Sequence, residues 1–233
     1  MKIKTKIAIW SLAALLAAGF TACKDDDPFS KLTEDSLENT AWTLEKTSEY
    51  NKGTQKWEII GVASDIRPFA TTQFIERKIE RVDDYVYEYA IDVAKRELII
   101  KSNNYPIVEL SSDKLVYDDN ENHRFAYKRI PPLLPAKLYG KWEITALEKH
   151  DFHSGQWKTG TFEKGYWIQF NKDGSGTNSR KQNCKYSIRC NIVNIDCIYG
   201  KSFVVKLTDK ELVFLHRYKN TGNYTRETFK KVK

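Results

Sequence analysis

Four histidines, four cysteines and a large set of tryptophans and tyrosines are the side chains of this 233-residue chain with the most chemistry to offer. The histidines are His123, His150, His153 and His216. No Gly-x-Ser-x-Gly elbow accompanies them, and no His-Glu-x-x-His helix, so neither an activated serine nor a zinc-bound water has its usual frame. The carboxylates are scattered, without a pair that stands apart from solvated surface charge, and catalysis is not expected. His150-Asp151-x-His153 has the residue types of a metal site. It gathers its three groups only if the loop folds back, and no fixed partner stands behind them, so they read as solvated loop residues. No metal or cofactor is expected.

The cysteines divide by position. Phe20-Thr21-Ala22-Cys23 resembles the bacterial lipobox, in which small residues precede a cysteine that is acylated before the peptide ahead of it is removed. Lys2, Lys4 and Lys6 followed by the apolar run Ile7 to Phe20 read as the secretory signal that such a box requires. The run is too short for a span, which needs about 20 apolar residues, and it ends against Lys24-Asp25-Asp26-Asp27. That tract resembles the signal that sends some lipoproteins to the cell surface. Residues 1–22 are therefore expected to be a signal peptide, 23–36 an acidic tether, and Cys23 the lipid anchor in the outer membrane, facing the surface or the periplasm. Several acyl chains make such an anchor effectively permanent.

Removal of residues 1–22 leaves 35 basic against 31 acidic side chains, a balance of +4 that gives no argument for nucleic acid. It also leaves Cys184, Cys190 and Cys197. On one extended strand Cys184 and Cys190 stand about 20 Å apart, too far to bridge. Cys197 is then the shared partner, of Cys190 or of Cys184, unless all three stay reduced. No Cys-x-x-Cys spacing suggests zinc or redox catalysis.

The elements that must position these residues repeat. Leu37 to Leu44 matches Lys137 to Ile144, and a second Trp follows each first by 15 positions, at Trp57 and Trp157. Gln73-Phe74 matches Gln169-Phe170, and Tyr89-Ala90-Ile91 matches Tyr186-Ser187-Ile188. Val108 to Tyr117 aligns without a gap on Val205 to Phe214, and the copies close on Tyr127-Lys128-Arg129-Ile130 and Phe229-Lys230-Lys231-Val232. Two copies are too few for a solenoid, so each is expected to be a domain with its own core, 37–130 and 138–233. Residues 131–137, with three prolines, read as a short stiff linker whose Leu133 and Leu134 suggest that the domains touch. The pattern is β nearly throughout: the tyrosines and Ile91 share one face of Tyr85 to Asp92, and Asn171-Lys172-Asp173-Gly174 has hairpin chemistry. Helix is expected only as a turn or two around Leu32 to Asn39, capped by Thr33 or Ser36.

Gly140-Lys141-Trp142, the Asp-Gly hairpin, the Tyr-x-Ile strand, Leu207 to Val213 and the closing Phe-Lys-Lys-Val together resemble the bacterial lipocalin-like domains carried by lipoproteins. The first copy departs in having Thr40 for Gly140 and Lys78 to Asp84 in place of the Asp-Gly turn. The resemblance implies an all-β fold of two small antiparallel barrels in tandem. It also implies that Trp42 with Arg124, and Trp142 with Arg226, latch one end of each barrel. Trp57, Trp157, Tyr166 and Trp167 fall where such a barrel places its second strand and mouth, and are the candidate ligand contacts. The alternative is that they serve as core.

The expected function is non-catalytic: a membrane-anchored, surface lipoprotein that acts as a binding or scaffolding protein for a small amphiphile, a glycan or another envelope component. The alternative is a solid-cored structural or protein-interaction module, and neither reading fixes the oligomeric state. Deletion of Lys24 to Asp27 should protect the protein from protease added to intact cells; unchanged digestion would make the tract a spacer only.

Overall fold

The computed structural model describes residues 29, 31–62, 70–82, 84–151, 154–197, 200–217 and 223–232. The expected signal peptide, Cys23, Lys24 to Asp27 and His153 lie outside them. The first copy contributes β1 (Thr40–Asn51), β2 (Lys56–Val62), β3 (Thr71–Ile75), β4 (Lys78–Arg81), β5 (Val86–Asp92), β6 (Glu97–Ile100), β7 (Asn103–Leu110), β8 (Lys114–Asp118) and β9 (His123–Ile130). After α1 (Pro135–Leu138), the second contributes β10 (Gly140–His150), β11 (Trp157–Thr159), β12 (Trp167–Phe170), β13 (Ser175–Asn178), β14 (Asn183–Arg189), β15 (Ile192–Ile195), β16 (Gly200–Leu207), β17 (Glu211–Arg217) and β18 (Tyr224–Val232). Each copy is an antiparallel meander whose first strand also pairs with its last, giving two tandem closed eight-stranded barrels. This is the all-β architecture expected. In each, the first strand outruns the barrel and carries an extra hairpin strand, β2 or β11, on its far half.

Both first strands carry a bulge against the last strand, between Leu44 and Lys46 and between Ile144 and Ala146. A second shared irregularity falls between Ile107 and Glu109 and between Val204 and Lys206. Bulges at matching places bend the two sheets alike, so the repeat in the sequence is a repeat in the backbone. Period-two alternation then fills each lumen. In β5, Tyr87, Tyr89 and Ile91 turn inward while Val86, Glu88 and Ala90 are exposed. Trp42, Phe74, Tyr89, Leu98 and Leu115 pack in the first core, and Trp142, Phe170, Val193, Leu212, Phe214 and Phe229 in the second.

The local chemistry corrects three expectations. Leu32 to Asn39 forms hydrogen-bonded turns rather than helix, with the Ser36 hydroxyl accepting from Thr33 N at 2.8 Å. Leu32 and Leu37 from this segment are buried in the first barrel. The helix that does form is Pro135–Leu138 in the linker, because proline at its start has a preset φ and no amide to lose. Lys78 to Arg81 is strand, and the first copy's tight turn is Glu76-Arg77, both at positive φ (51° and 57°). Without glycine that turn is costly, and the Glu38 carboxylate holds it by accepting from Glu76 N and, at 3.4 Å, from Arg77 N. The Tyr89 hydroxyl adds a hydrogen bond to Glu38 at 2.7 Å. Burial raises the Glu38 pKa, but these donors outweigh it and the net shift is downward. In the second copy Gly174 (φ +82°) takes the positive φ, and the Asp173 carboxylate accepts from Ser175 N at 2.9 Å.

Cys197 bridges Cys184, of its two candidate partners, and Cys190 is a free thiol.

The barrels pack side by side. Ala41, Val82 and Ile130 of the first meet Ile192, Phe203, Val213, Leu215 and Tyr224 on the outside of the second. At the edge of this patch the fully buried Gln73 accepts from Asn191 N at 3.1 Å and donates to Glu80 at 3.2 Å. Arg189 donates to the other Glu80 oxygen at 2.6 Å. The Asn191 amide ties the Pro131 carbonyl (2.9 Å) to that of Val204 (3.1 Å). Leu133 is buried in the second core, whereas Leu134 is exposed. Asn191→Ala leaves two carbonyls short of a donor and should cost about 1–3 kcal/mol in urea unfolding; an unchanged midpoint would mean that the contact is passive.

Candidate functional site

The lumen of the first barrel holds a cavity of about 180 Å³. Its walls are Thr72 and Phe74 on β3, Ile79 and Arg81 on β4, Tyr87 on β5, Leu98 and Ile100 on β6, Leu115 and Tyr117 on β8, and Tyr127 on β9, with Ala70 beside them. Each strand contributes alternate residues, so the lining follows from period two alone. The Tyr117 and Tyr127 rings stack at 5.6 Å with their hydroxyls 3.2 Å apart. Burial pushes both phenols upward in pKa, so at neutral pH both are protonated hydrogen-bonding groups. Arg81 is the one charged residue in the lining. Its guanidinium lies 5.6 Å from the Tyr85 ring, Tyr85 stacks on Tyr87 at 6.0 Å, and Lys101 Nζ sits 3.8 Å from the Tyr87 ring.

Equivalent positions in the second barrel follow from register. Thr72 opposite Arg81 becomes Ile168 opposite Asn178, and Phe74 opposite Ile79 becomes Phe170 opposite Gly176. Tyr87 becomes Cys184, closed by its disulfide, while Tyr117 and Tyr127 become Phe214 and Phe229. Ile168, Phe170, Cys184, Phe214 and Phe229 pack as one buried cluster. Toward the other end of that lumen lie Ser202, His216, Thr225 and Glu227, all buried, with His216 Nε2 3.9 Å from Glu227 Oε1. Burial pushes the His216 pKa down to about 4, so the imidazole is neutral at pH 7.

The expected ligand contacts are elsewhere. Trp57 lies under Arg124 (4.1 Å) and against Tyr50 (5.4 Å), on the hairpin beyond the first barrel. Trp157 occupies the same place in the second copy, under Arg226 (4.8 Å) and against His150 (5.2 Å). Tyr166 is buried in the second core, and Trp167 carries Lys141 Nζ 4.2 Å from its ring. None of the four lines the first barrel's chamber.

The latch pairs are also different. Trp42 lies directly opposite Arg129, whose guanidinium is 5.8 Å from its ring, and Trp142 lies opposite Lys231 at 4.9 Å. Arg124 and Arg226 face Ser48 and Glu148, several residues further along the first strands. There they bind Asp118 (2.7 Å) and Glu148 (2.7 Å). The cation that covers each barrel's tryptophan thus comes from the closing motif itself. His150, expected to be a solvated loop residue, is instead buried against Trp157 at the end of β10. Asp119, Glu121 and His123 lie close together, but Asp119 is occupied in capping its turn, accepting from Glu121 N (2.8 Å), His123 N (2.8 Å) and His123 Nδ1 (3.0 Å).

The chamber residues escaped the sequence reading although its signal was present. Tyr117 aligns on Phe214 and Tyr127 on Phe229, so the copies differ by two hydroxyls at positions that both turn inward. No protein-family model matches the chain, and no curated protein matches it.

His216 gives a pH test of the second lumen. Its folded pKa lies below the value near 6.5 of an unfolded histidine, so below that pH the unfolded state takes up a proton that the folded state refuses. Stability should therefore fall as pH drops from about 6.5 to 4, by at most about 3 kcal/mol from this residue. His216→Gln should remove that part of the slope in urea unfolding; equal slopes would place the imidazole in contact with solvent.

Proposed function

We propose that the protein is a non-catalytic binding protein of the cell envelope, kin to the lipocalin-like domains, whose first barrel holds a small amphiphile. The observation that carries this reading is the difference between the two lumens. In one, phenylalanines and a disulfide pack as a buried cluster; at matching positions the other lines a partly open cavity with an apolar floor, two phenols and an arginine. Apolar walls with a few convergent polar groups are the usual makeup of a ligand site. A role for Tyr117 and Tyr127 as nucleophiles is disfavoured by their raised pKa values.

The second barrel then serves as a brace, its outer face packed against the strands that carry Gln73 and Glu80. The anchor at Cys23 and the acidic tract after it support an outer-membrane location facing the surface, and the Cys184–Cys197 disulfide agrees with an oxidising compartment. A glycan draws less support than an amphiphile, because Trp57, Trp157, Tyr166 and Trp167 do not face the chamber. A second reading, an interaction module, is favoured by β2, which among the described residues pairs only with β1 and exposes Ile59 and Ile60.

Native mass spectrometry of the full chain from its host should show a retained small molecule. Leu98→Trp, which fills the chamber from a fully buried wall position, should release that molecule while circular dichroism stays β. A bare wild-type mass, identical in the variant, would favour the interaction module.

A further inference from the structure

We infer that the chamber selects a compact neutral carbonyl compound: an apolar body of about one ring whose single oxygen accepts a hydrogen bond from the Tyr117–Tyr127 pair. The inference rests on the chamber being a binding site, and adds the chemical class of what enters it.

Size limits the body. A cavity of about 150 Å³ with apolar walls accepts benzene, so about 180 Å³ takes one ring or a short branched chain and not a long acyl tail. The donor count sets the head. Tyr117 and Tyr127 each bring one O–H, and among the described residues the one hydrogen bond that either hydroxyl makes is the bond between them, at 3.2 Å. Whichever way that bond runs, it uses one O–H and leaves the other without a protein acceptor. The hydroxyls belong to the chamber. Both residues keep accessible surface, yet burial raises both pKa values, and both line the cavity; a phenol that is crowded and still accessible faces an internal space. A buried donor left unmade costs free energy that an acceptor on the ligand recovers. A carbonyl does this without a charge to desolvate and without a proton that needs an acceptor of its own. Thr72, also in the lining, already donates to the Glu80 carbonyl at 3.1 Å. The second barrel has Phe214 and Phe229 at the positions matching the phenols, and so has no donor there.

Titration of the full chain in detergent with acetophenone and with ethylbenzene, which are close in size and differ in the oxygen, tests this. Each ligand is supplied through the vapour phase, so that its free concentration is set whatever dissolves in the micelles, and isotope-labelled tyrosine rings report occupancy by nuclear magnetic resonance. Acetophenone should bind about tenfold more tightly than ethylbenzene, the worth of one hydrogen bond, and should shift the Tyr117 and Tyr127 signals. Tyr117→Phe or Tyr127→Phe alone leaves one O–H free and should keep the preference, whereas the two together should weaken acetophenone to the level of ethylbenzene. A preference that outlasts the double variant would put the donor on another lining group such as Tyr87 and overturn the role of the pair. Equal binding of the two ligands to the wild-type chain, a comparison that needs no variant to fold, would overturn the carbonyl selectivity while leaving the chamber as a site. Failure of both ligands to bind, with Leu98→Trp indistinguishable from wild type, would overturn the chamber reading and this inference with it.

Discussion

The structure depends on the double pairing of each first strand. β1 hydrogen-bonds to β3 on one side and β9 on the other, and β10 does the same with β12 and β18. Closure removes the open edges that a meander of this length would otherwise present. It also fixes which side chains lie inside, because once Trp42 stands between Thr72 and Arg129 every other residue on each strand must point into the lumen. The indoles are tied down locally. Trp42 Nε1 donates to Thr40 Oγ1 at 2.7 Å and Trp142 Nε1 to the Leu138 carbonyl at 2.6 Å, so each tryptophan seals its end without a buried unpaired N–H.

Given a fixed frame, function becomes a matter of what fills it. Two barrels with the same strand order and the same bulges differ at a handful of inward positions, and those differences are of one kind. The second lumen has phenyl rings where the first has phenols, an asparagine where the first has an arginine, and a covalent cross-link where the first has Tyr87. These exchanges do not open the first lumen by removing volume, because tyrosine and arginine are larger than the phenylalanine, asparagine and cysteine that match them; what they change is the polarity of the lining. The interface follows the same economy: Gln73 and Glu80 turn outward from strands whose alternate residues line the chamber, so one pair of strands serves both the site and the contact with its brace.

Much of the fold was legible because strands carry period-two patterns and the duplication checks each assignment twice. The site was less legible, for identifiable reasons. The latch was misplaced because sequence distance to the closing aromatic says nothing about register: Arg129, not Arg124, lies opposite Trp42. Trp57 and Trp157 looked like mouth residues because they follow the first strand, yet each sits on a hairpin that outruns the barrel and packs against an arginine. The turn at Glu76-Arg77 carries no glycine to announce it and depends on Glu38, distant in sequence. The chamber itself is an absence of side-chain volume, which composition does not reveal; the Tyr-for-Phe exchanges at aligned positions signalled a more polar lining and not the opening.

The central claim is that the two lumens differ, one open and one filled. Xenon enters small apolar cavities and shifts the resonances of their walls, so backbone amide spectra of the chain recorded under xenon pressure address that claim directly. The account predicts shifts concentrated at Leu98, Leu115, Tyr117 and Tyr127, with Val193, Leu212, Phe214 and Phe229 little changed. Equal shifts in both sets, or none in the first, would contradict it.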